Sequence, residues 1–297
     1  MCLVPLLTLG IGGYVYVSDC YRADEQAAAA MVQDGAVGIE TSGSVTWFIP
    51  EQPTAGLIFY PGGKVEHTAY APLMRACAEQ GIICALVKMP GNLAVLNADA
   101  ADGLRQTHPE VTDWYIAGHS LGGAMDAKHA EDFSGLILLA AYSTKDLTQT
   151  PLRVLSVYGS EDGVMNRDSY EKDRANLPAD TTEIIIDGGC HAQFGCYGAQ
   201  DGDGTPTISA AEQISQTSEA IAAFVAAGSL CLSWQEPNPC RLSARPFGYF
   251  CENICNVMVQ YSPFYGTIKT DEPRTLDFSW VRGFLVTNVY IVQRSAA

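Results

Sequence analysis

Between Ser44 and Gly228, short apolar runs alternate with segments whose apolar residues recur every three or four positions, a pattern that predicts strands joined by helices. Strands are expected at Ser44–Ile49, Gly56–Tyr60, Ile82–Lys88, Trp114–Ala117, Gly135–Ala141, Leu152–Tyr158 and Glu183–Ile186. The run Ile82-Ile83-Cys84-Ala85-Leu86-Val87 has no polar alternation, as burial on both faces of a parallel sheet requires. The pattern therefore predicts an α/β fold, a mostly parallel sheet with helices on both faces.

The helical segments have recognisable ends. One follows Pro61-Gly62-Gly63, with Pro72 in its first turn, Leu73, Ala76 and Cys77 as its buried stripe and Gly81 closing it. Others are expected at 21–33, at 93–106, from Ser120 to near Glu131, and from Asn166 to Asn176, where Pro178 stops the chain. Ser209 with Glu212 forms a capping box for a last helix, whose buried face is Ile214, Ile221, Phe224 and Val225 and which is expected to end at Gly228. This gives a core domain over 44–228 and an unplaced tail over 229–297, aperiodic until a strand-like run at 283–292.

One junction stands out. Trp114-Tyr115-Ile116-Ala117 runs into Gly118-His119-Ser120-Leu121-Gly122 and then into a helical pattern, the strand, sharp turn and helix of a nucleophile elbow. A serine there needs a base, and the base needs an orienting acid, each in a loop after a later strand. Of the five histidines, His67, His108, His119 and His129 precede the last two strands, which leaves His191, in Gly188-Gly189-Cys190-His191, as the candidate base. Asp162 follows the strand Leu152–Tyr158 and is the candidate acid, with Glu161 as its competitor. The backbone N–H groups of Leu121 and Gly63 are the candidate oxyanion donors, since Pro61-Gly62-Gly63 lets main chain approach a substrate closely.

Composition narrows the partners. A net charge of −16 with only 17 Lys and Arg argues against nucleic acid. Residues 1–17 are uncharged and mostly apolar, about the length of a short membrane anchor, so 1–20 is read as an anchor or signal segment; a buried core helix is the alternative. Four of the ten cysteines, Cys231, Cys240, Cys251 and Cys255, crowd the tail without the spacing of a zinc site. A membrane-anchored or extracytoplasmic setting follows as an expectation, with the cytoplasm as the alternative. Asp201-Gly202-Asp203-Gly204 lacks the other ligands of a calcium loop and reads as a flexible turn, and no nucleotide-binding glycine motif is present. No cofactor or metal is implied.

Four segments together resemble the compact, dienelactone-hydrolase-related bacterial members of the alpha/beta-hydrolase family: Tyr60 to Val65, Gly118 to Ala124, Tyr158 to Gly163 and Gly188 to Gly195. The resemblance covers about 44 to 228, and Pro61 stands where many relatives carry histidine. It implies an alpha/beta-hydrolase fold and a Ser120, Asp162 and His191 triad acting on a small-molecule ester; the short connection between Ala141 and Leu152 leaves little or no room for a lid, so short acyl chains are expected to be favoured. An acyltransferase would use the same residues, and a non-catalytic binding protein could share the scaffold.

Overall fold

The computed structural model describes residues 18–33, 35–126, 130–235, 243–245 and 248–250, with backbone alone for Asp126 and from residue 229 onward. Residues 1–17 of the anchor or signal segment expected at 1–20 and most of the tail lie outside the described residues, and among those described no helix is long and apolar enough to cross a membrane.

Eight strands form one sheet: β1 (Val37–Ser42), β2 (Val45–Pro50), β3 (Ala55–Tyr60), β4 (Ile82–Val87), β5 (Trp114–His119), β6 (Gly135–Leu139), β7 (Arg153–Gly159) and β8 (Thr181–Ile186). Their order is β1-β2-β4-β3-β5-β6-β7-β8. The pairs β1–β2 and β2–β4 are antiparallel and the rest parallel. The period of two along each strand divides the core into two layers. Leu57, Phe59, Tyr115, Ala117, Ile137 and Leu139 bury one face. Their neighbours Ile58, Tyr60, Trp114, Ile116, Leu136 and Leu138 bury the other. Among the described residues, five helices accompany the sheet: α1 (Glu25–Ala30), α2 (Ala71–Glu79), α3 (Leu121–Asp126), α4 (Arg167–Asp173) and α5 (Ala210–Gln235). Residues of α1, α2 and α5 join the first layer, whereas Met125 of α3 packs against the second.

Three expectations are corrected. The first strand is β1, an antiparallel edge strand that the pattern missed because only Val37 of it is buried. The helix expected at 93–106 is instead short 3₁₀ turns at Pro90–Asn92, Ala94–Leu96 and Arg105–Thr107. Asn97, Asp99, Asp102 and Gly103 are poor helix formers, and the buried Tyr60 hydroxyl, donating to Ala98 O at 2.8 Å and accepting from Ala101 N at 2.7 Å, holds the backbone out of the helical ladder.

The third concerns Gly228, which is not a helix end, because α5 continues to Gln235. A Cβ at Gly228 would lie 2.3 Å from the Tyr115 hydroxyl and 2.5 Å from Arg153 Nη1. Those groups donate to Val225 O at 3.2 Å and Phe224 O at 3.0 Å, so the glycine makes room for two side chains that hold α5 to the sheet. Gly228→Ala should therefore destabilise by about 1–3 kcal/mol, against the roughly 1 kcal/mol gain usual for that change inside a helix. Urea unfolding checks this, and an unchanged or higher midpoint would contradict the packing argument. The chain separates into a unit spanning Met1–Pro237 and a second spanning Asn238–Ala297. In the second, β9 (Ser243–Arg245) and β10 (Gly248–Phe250) form an antiparallel pair.

Candidate active site

The centre of the site follows from the position of β5, which lies between β3 and β6 in the middle of the sheet. At its carboxyl end Ser120 turns the chain into α3 with φ +51, a left-handed conformation that costs a non-glycine residue about 1–2 kcal/mol. Ser120 N donates to Leu139 O at 2.9 Å and Ala124 N to Ser120 O at 3.1 Å, so strand and helix hold the residue from both sides. Two glycines make the turn possible. A Cβ at Gly122 would fall 2.2 Å from the Tyr60 carbonyl, and one at Gly123 would fall 2.6 Å from Ala141 Cβ.

Two loops at the ends of β7 and β8 bring the acid and the imidazole together. Ser160 N donates to Ile186 O at 2.9 Å and Glu161 N to Gly189 O at 2.8 Å. Gly159 lets the main chains touch, since a Cβ there would sit 2.2 Å from Gly189 O. Asp162 Oδ1 accepts from Val164 N at 2.9 Å and Met165 N at 2.8 Å, leaving Oδ2 to accept from His191 Nδ1 at 2.9 Å. The side chains of this pair are 0% and 2% exposed, so water does not compete for the bond. Glu161 is exposed, and its carboxylate accepts from Ser160 Oγ instead. With Nδ1 as the donor, the second nitrogen of His191 is left unprotonated in the neutral ring. Ser120 Oγ makes no hydrogen bond with any described residue; the ring of its neighbour His119 packs against that of His191, with centroids 4.5 Å apart.

The loop after β3 completes the site. Gly62 N donates to the Tyr70 hydroxyl at 3.1 Å, so that N–H is occupied. The N–H groups of Gly63 and Leu121 are engaged by no described residue, and a Cβ on Gly63 would meet Leu121 Cδ2 at 3.0 Å, which places the two residues side by side.

Sequence reasoning missed what surrounds these groups. The Tyr70 hydroxyl, which accepts from Gly62 N, is also hydrogen-bonded to His119 Nδ1 at 2.7 Å. Burial, then the neighbouring His191, push the His119 pKa well below its usual value, and a bond to the His191 backbone opposes this only in part. His119 is thus neutral. Burial drives the Tyr70 hydroxyl in the other direction, well above the ordinary tyrosine value. Gln213, fully buried, clamps the residue before His191, accepting from Cys190 N at 3.0 Å and donating to Cys190 O at 2.8 Å. Asp203, in the segment expected to be a flexible turn, accepts from the backbone N–H of His191 itself. A glycine-rich turn gives no periodic signal of where its carboxylates will point.

The His119 environment makes a stability prediction. A histidine whose folded pKa lies below the unfolded value of about 6.5 takes up a proton on unfolding, so stability is complete above that pH and falls as pH drops through it. His119→Gln should flatten part of the fall in denaturation midpoint between pH 8 and pH 5.5. Equal slopes for both proteins would contradict a neutral buried His119.

The family comparison agrees with this architecture: residues 56–215 match the model of the alpha/beta hydrolase family. Among similar solved structures, TT1662 from Thermus thermophilus has a TM-score of 0.47 at 14% identity, covering 64% of this chain and 98% of its own. A predicted CIB-like hydrolase from Thermoplasma acidophilum gives 0.47 at 14%, covering 63% and 98%. Est1E from Butyrivibrio proteoclasticus gives 0.46 at 14%, covering 66% and 100%. None of the curated proteins matches the chain.

Proposed function

The chain belongs to the alpha/beta hydrolase family, and we propose that it is a serine hydrolase cleaving carboxylic esters through an acyl-enzyme, of the compact dienelactone-hydrolase-related kind. The observation that carries this is the buried 2.9 Å bond between His191 Nδ1 and Asp162 Oδ2, taken together with a serine held at φ +51 at the strand-to-helix turn. A serine without a base is a weak nucleophile, and a buried acid fixes the tautomer that makes imidazole a base.

His191 Nε2 takes the Ser120 proton as Oγ attacks the ester carbonyl, and Asp162 stabilises the imidazolium that forms. The carbonyl oxygen becomes an oxyanion facing the two unengaged N–H groups of Gly63 and Leu121, a stabilisation worth about 2.7–4 kcal/mol per donor in comparable sites. The tetrahedral intermediate collapses, and His191 returns the proton to the departing alkoxide. Water repeats the sequence on the acyl-enzyme, releasing the carboxylic acid and restoring Ser120.

Substrate size follows from what lies over the elbow. Residues 140–152, between β6 and β7, carry no helix, so this connection supplies no lid. Each methylene that a site buries is worth about 0.8 kcal/mol, or roughly fourfold in kcat/KM, and an open site withholds that gain. Acetate and butyrate esters should therefore be turned over with higher kcat/KM than esters of ten or more carbons, without activation at a lipid interface. A p-nitrophenyl ester series is the test. A steady rise with chain length would refute the open site, and no turnover of any ester would refute the proposed activity.

A further inference from the structure

We propose that Asp203 is a positioning residue that holds the Asp162 and His191 loops in the register that their hydrogen bond requires. The proposal rests on reading Ser120, Asp162 and His191 as the reacting set.

Asp203 lies in the stretch between the 3₁₀ turn Ala192–Phe194 and α5, away from the strand ends that carry the acid and the imidazole. Its side chain nevertheless reaches residues beside both. Oδ1 accepts from Gly163 N at 3.1 Å, His191 N at 3.1 Å and Gly204 N at 2.9 Å, and Oδ2 accepts from Ala192 N at 2.8 Å. Gly163 directly follows Asp162, and His191 contributes its own backbone. One carboxylate is therefore the shared acceptor of the acid loop and the base loop.

The glycines show how close the three segments are. A Cβ at Gly163 would lie 2.7 Å from Gly202 O and 2.8 Å from Gly204 N, and one at Gly204 would lie 1.8 Å from Glu161 O. Main chain meets main chain with no side chain between, so Asp203 can touch both loops with its short side chain. Burial raises its carboxyl pKa, but the bonds from Ala192, Gly163 and His191 outweigh that and hold it below the ordinary carboxylate range. The group is an anion at neutral pH, with its two oxygens shared among four N–H donors, which suits a carboxylate and not its amide. Gln213, by contrast, grips the base loop alone through Cys190.

The consequence for the reaction is geometric. The His191–Asp162 bond keeps its length only if the two backbones keep their separation, and a misplacement of about 1 Å in such a constellation costs roughly 100-fold in rate. Asp203→Asn preserves shape but sets an amide N–H₂ against one of the N–H donors, which drives a loop away.

The expected result for Asp203→Asn is a kcat lower by about 10- to 100-fold with KM within about threefold, since positioning for reaction is lost and substrate contacts are not. Fluorophosphonate labelling of Ser120 should slow in parallel. The far-downfield proton resonance of the His191 Nδ1–H bonded to Asp162 should broaden or disappear, while Asp201→Asn keeps it. A variant that melts earlier yet retains wild-type kcat and a sharp resonance would reduce Asp203 to a loop brace and overturn the proposal. Should Asp203→Asn fail to fold, amide exchange in the wild-type chain decides: the N–H groups of Gly163, His191, Ala192 and Gly204 should all be protected. Fast exchange at Gly163 beside slow exchange at His191 would overturn the clamp. A wild-type protein that no fluorophosphonate labels would instead remove the parent reading, leaving the protected amides and the resonance in place.

Discussion

Ser120→Ala should lower ester turnover by a factor of about 10⁴ to 10⁶, leaving the rate that the oxyanion donors and binding supply on their own. The loss should appear in kcat, because Oγ bonds to no described residue and its contribution arises only when it attacks the carbonyl. The fold should be unaffected, since alanine keeps the same backbone preference and the held position is secured by Leu139 O and Ala124 N. Ser120→Gly should lose the same activity yet unfold at a higher temperature, because glycine relieves the φ of +51. Steady-state kinetics with a short p-nitrophenyl ester and thermal melts of both variants check this. An alanine variant with more than a tenth of wild-type kcat would exclude Ser120 as the nucleophile.

His191→Ala should cost about as much as Ser120→Ala, because members of such a set act as a unit and removing either stops the same proton transfer. Asp162→Asn should cost about 10⁴-fold, since the amide offers the ring an N–H and favours the wrong tautomer. His108→Ala is the control. His108 precedes β5 and so lies at the opposite end of the strand from Ser120, where it packs on Trp47 and bonds Glu110 at 3.0 Å. It should change kcat by less than about twofold. Equal losses from His108→Ala and His191→Ala would mean that neither acts through the proposed set.

How much of this was legible depended on whether a local rule decided the outcome. The strands β2 to β7 were readable because each is a short apolar run bounded by turn residues, and burial on both faces leaves such runs no other use, whereas edge strand β8, with only Ile186 buried, was readable from its Ile184-Ile185-Ile186 run. The elbow was readable because Gly118 and Gly122 flank Ser120 between an apolar strand and a helical pattern, the local signature of a sharp strand-to-helix turn. Edge strand β1 was not, since five of its six residues are at least partly exposed and no period-two contrast survives. Residues 93–106 looked helical by apolar content, but the deciding group, the Tyr60 hydroxyl, is some 38 to 41 positions away in sequence. Gly228 has the same lesson: its meaning lies in Tyr115 and Arg153, which only the folded chain brings to it. At the site, the order of Ser120, Asp162 and His191 pointed to a set, whereas Tyr70, Gln213 and Asp203 act through contacts that no spacing announces.

The central claim is that Ser120 is a nucleophile activated by His191. The most direct measurement is peptide mapping by mass spectrometry after reaction with a fluorophosphonate, which bonds covalently only to a serine that a base has activated. The account predicts one adduct per chain on the peptide containing Ser120, absent from both Ser120→Ala and His191→Ala. An unlabelled wild-type protein, or an adduct on another residue that survives Ser120→Ala, would contradict it.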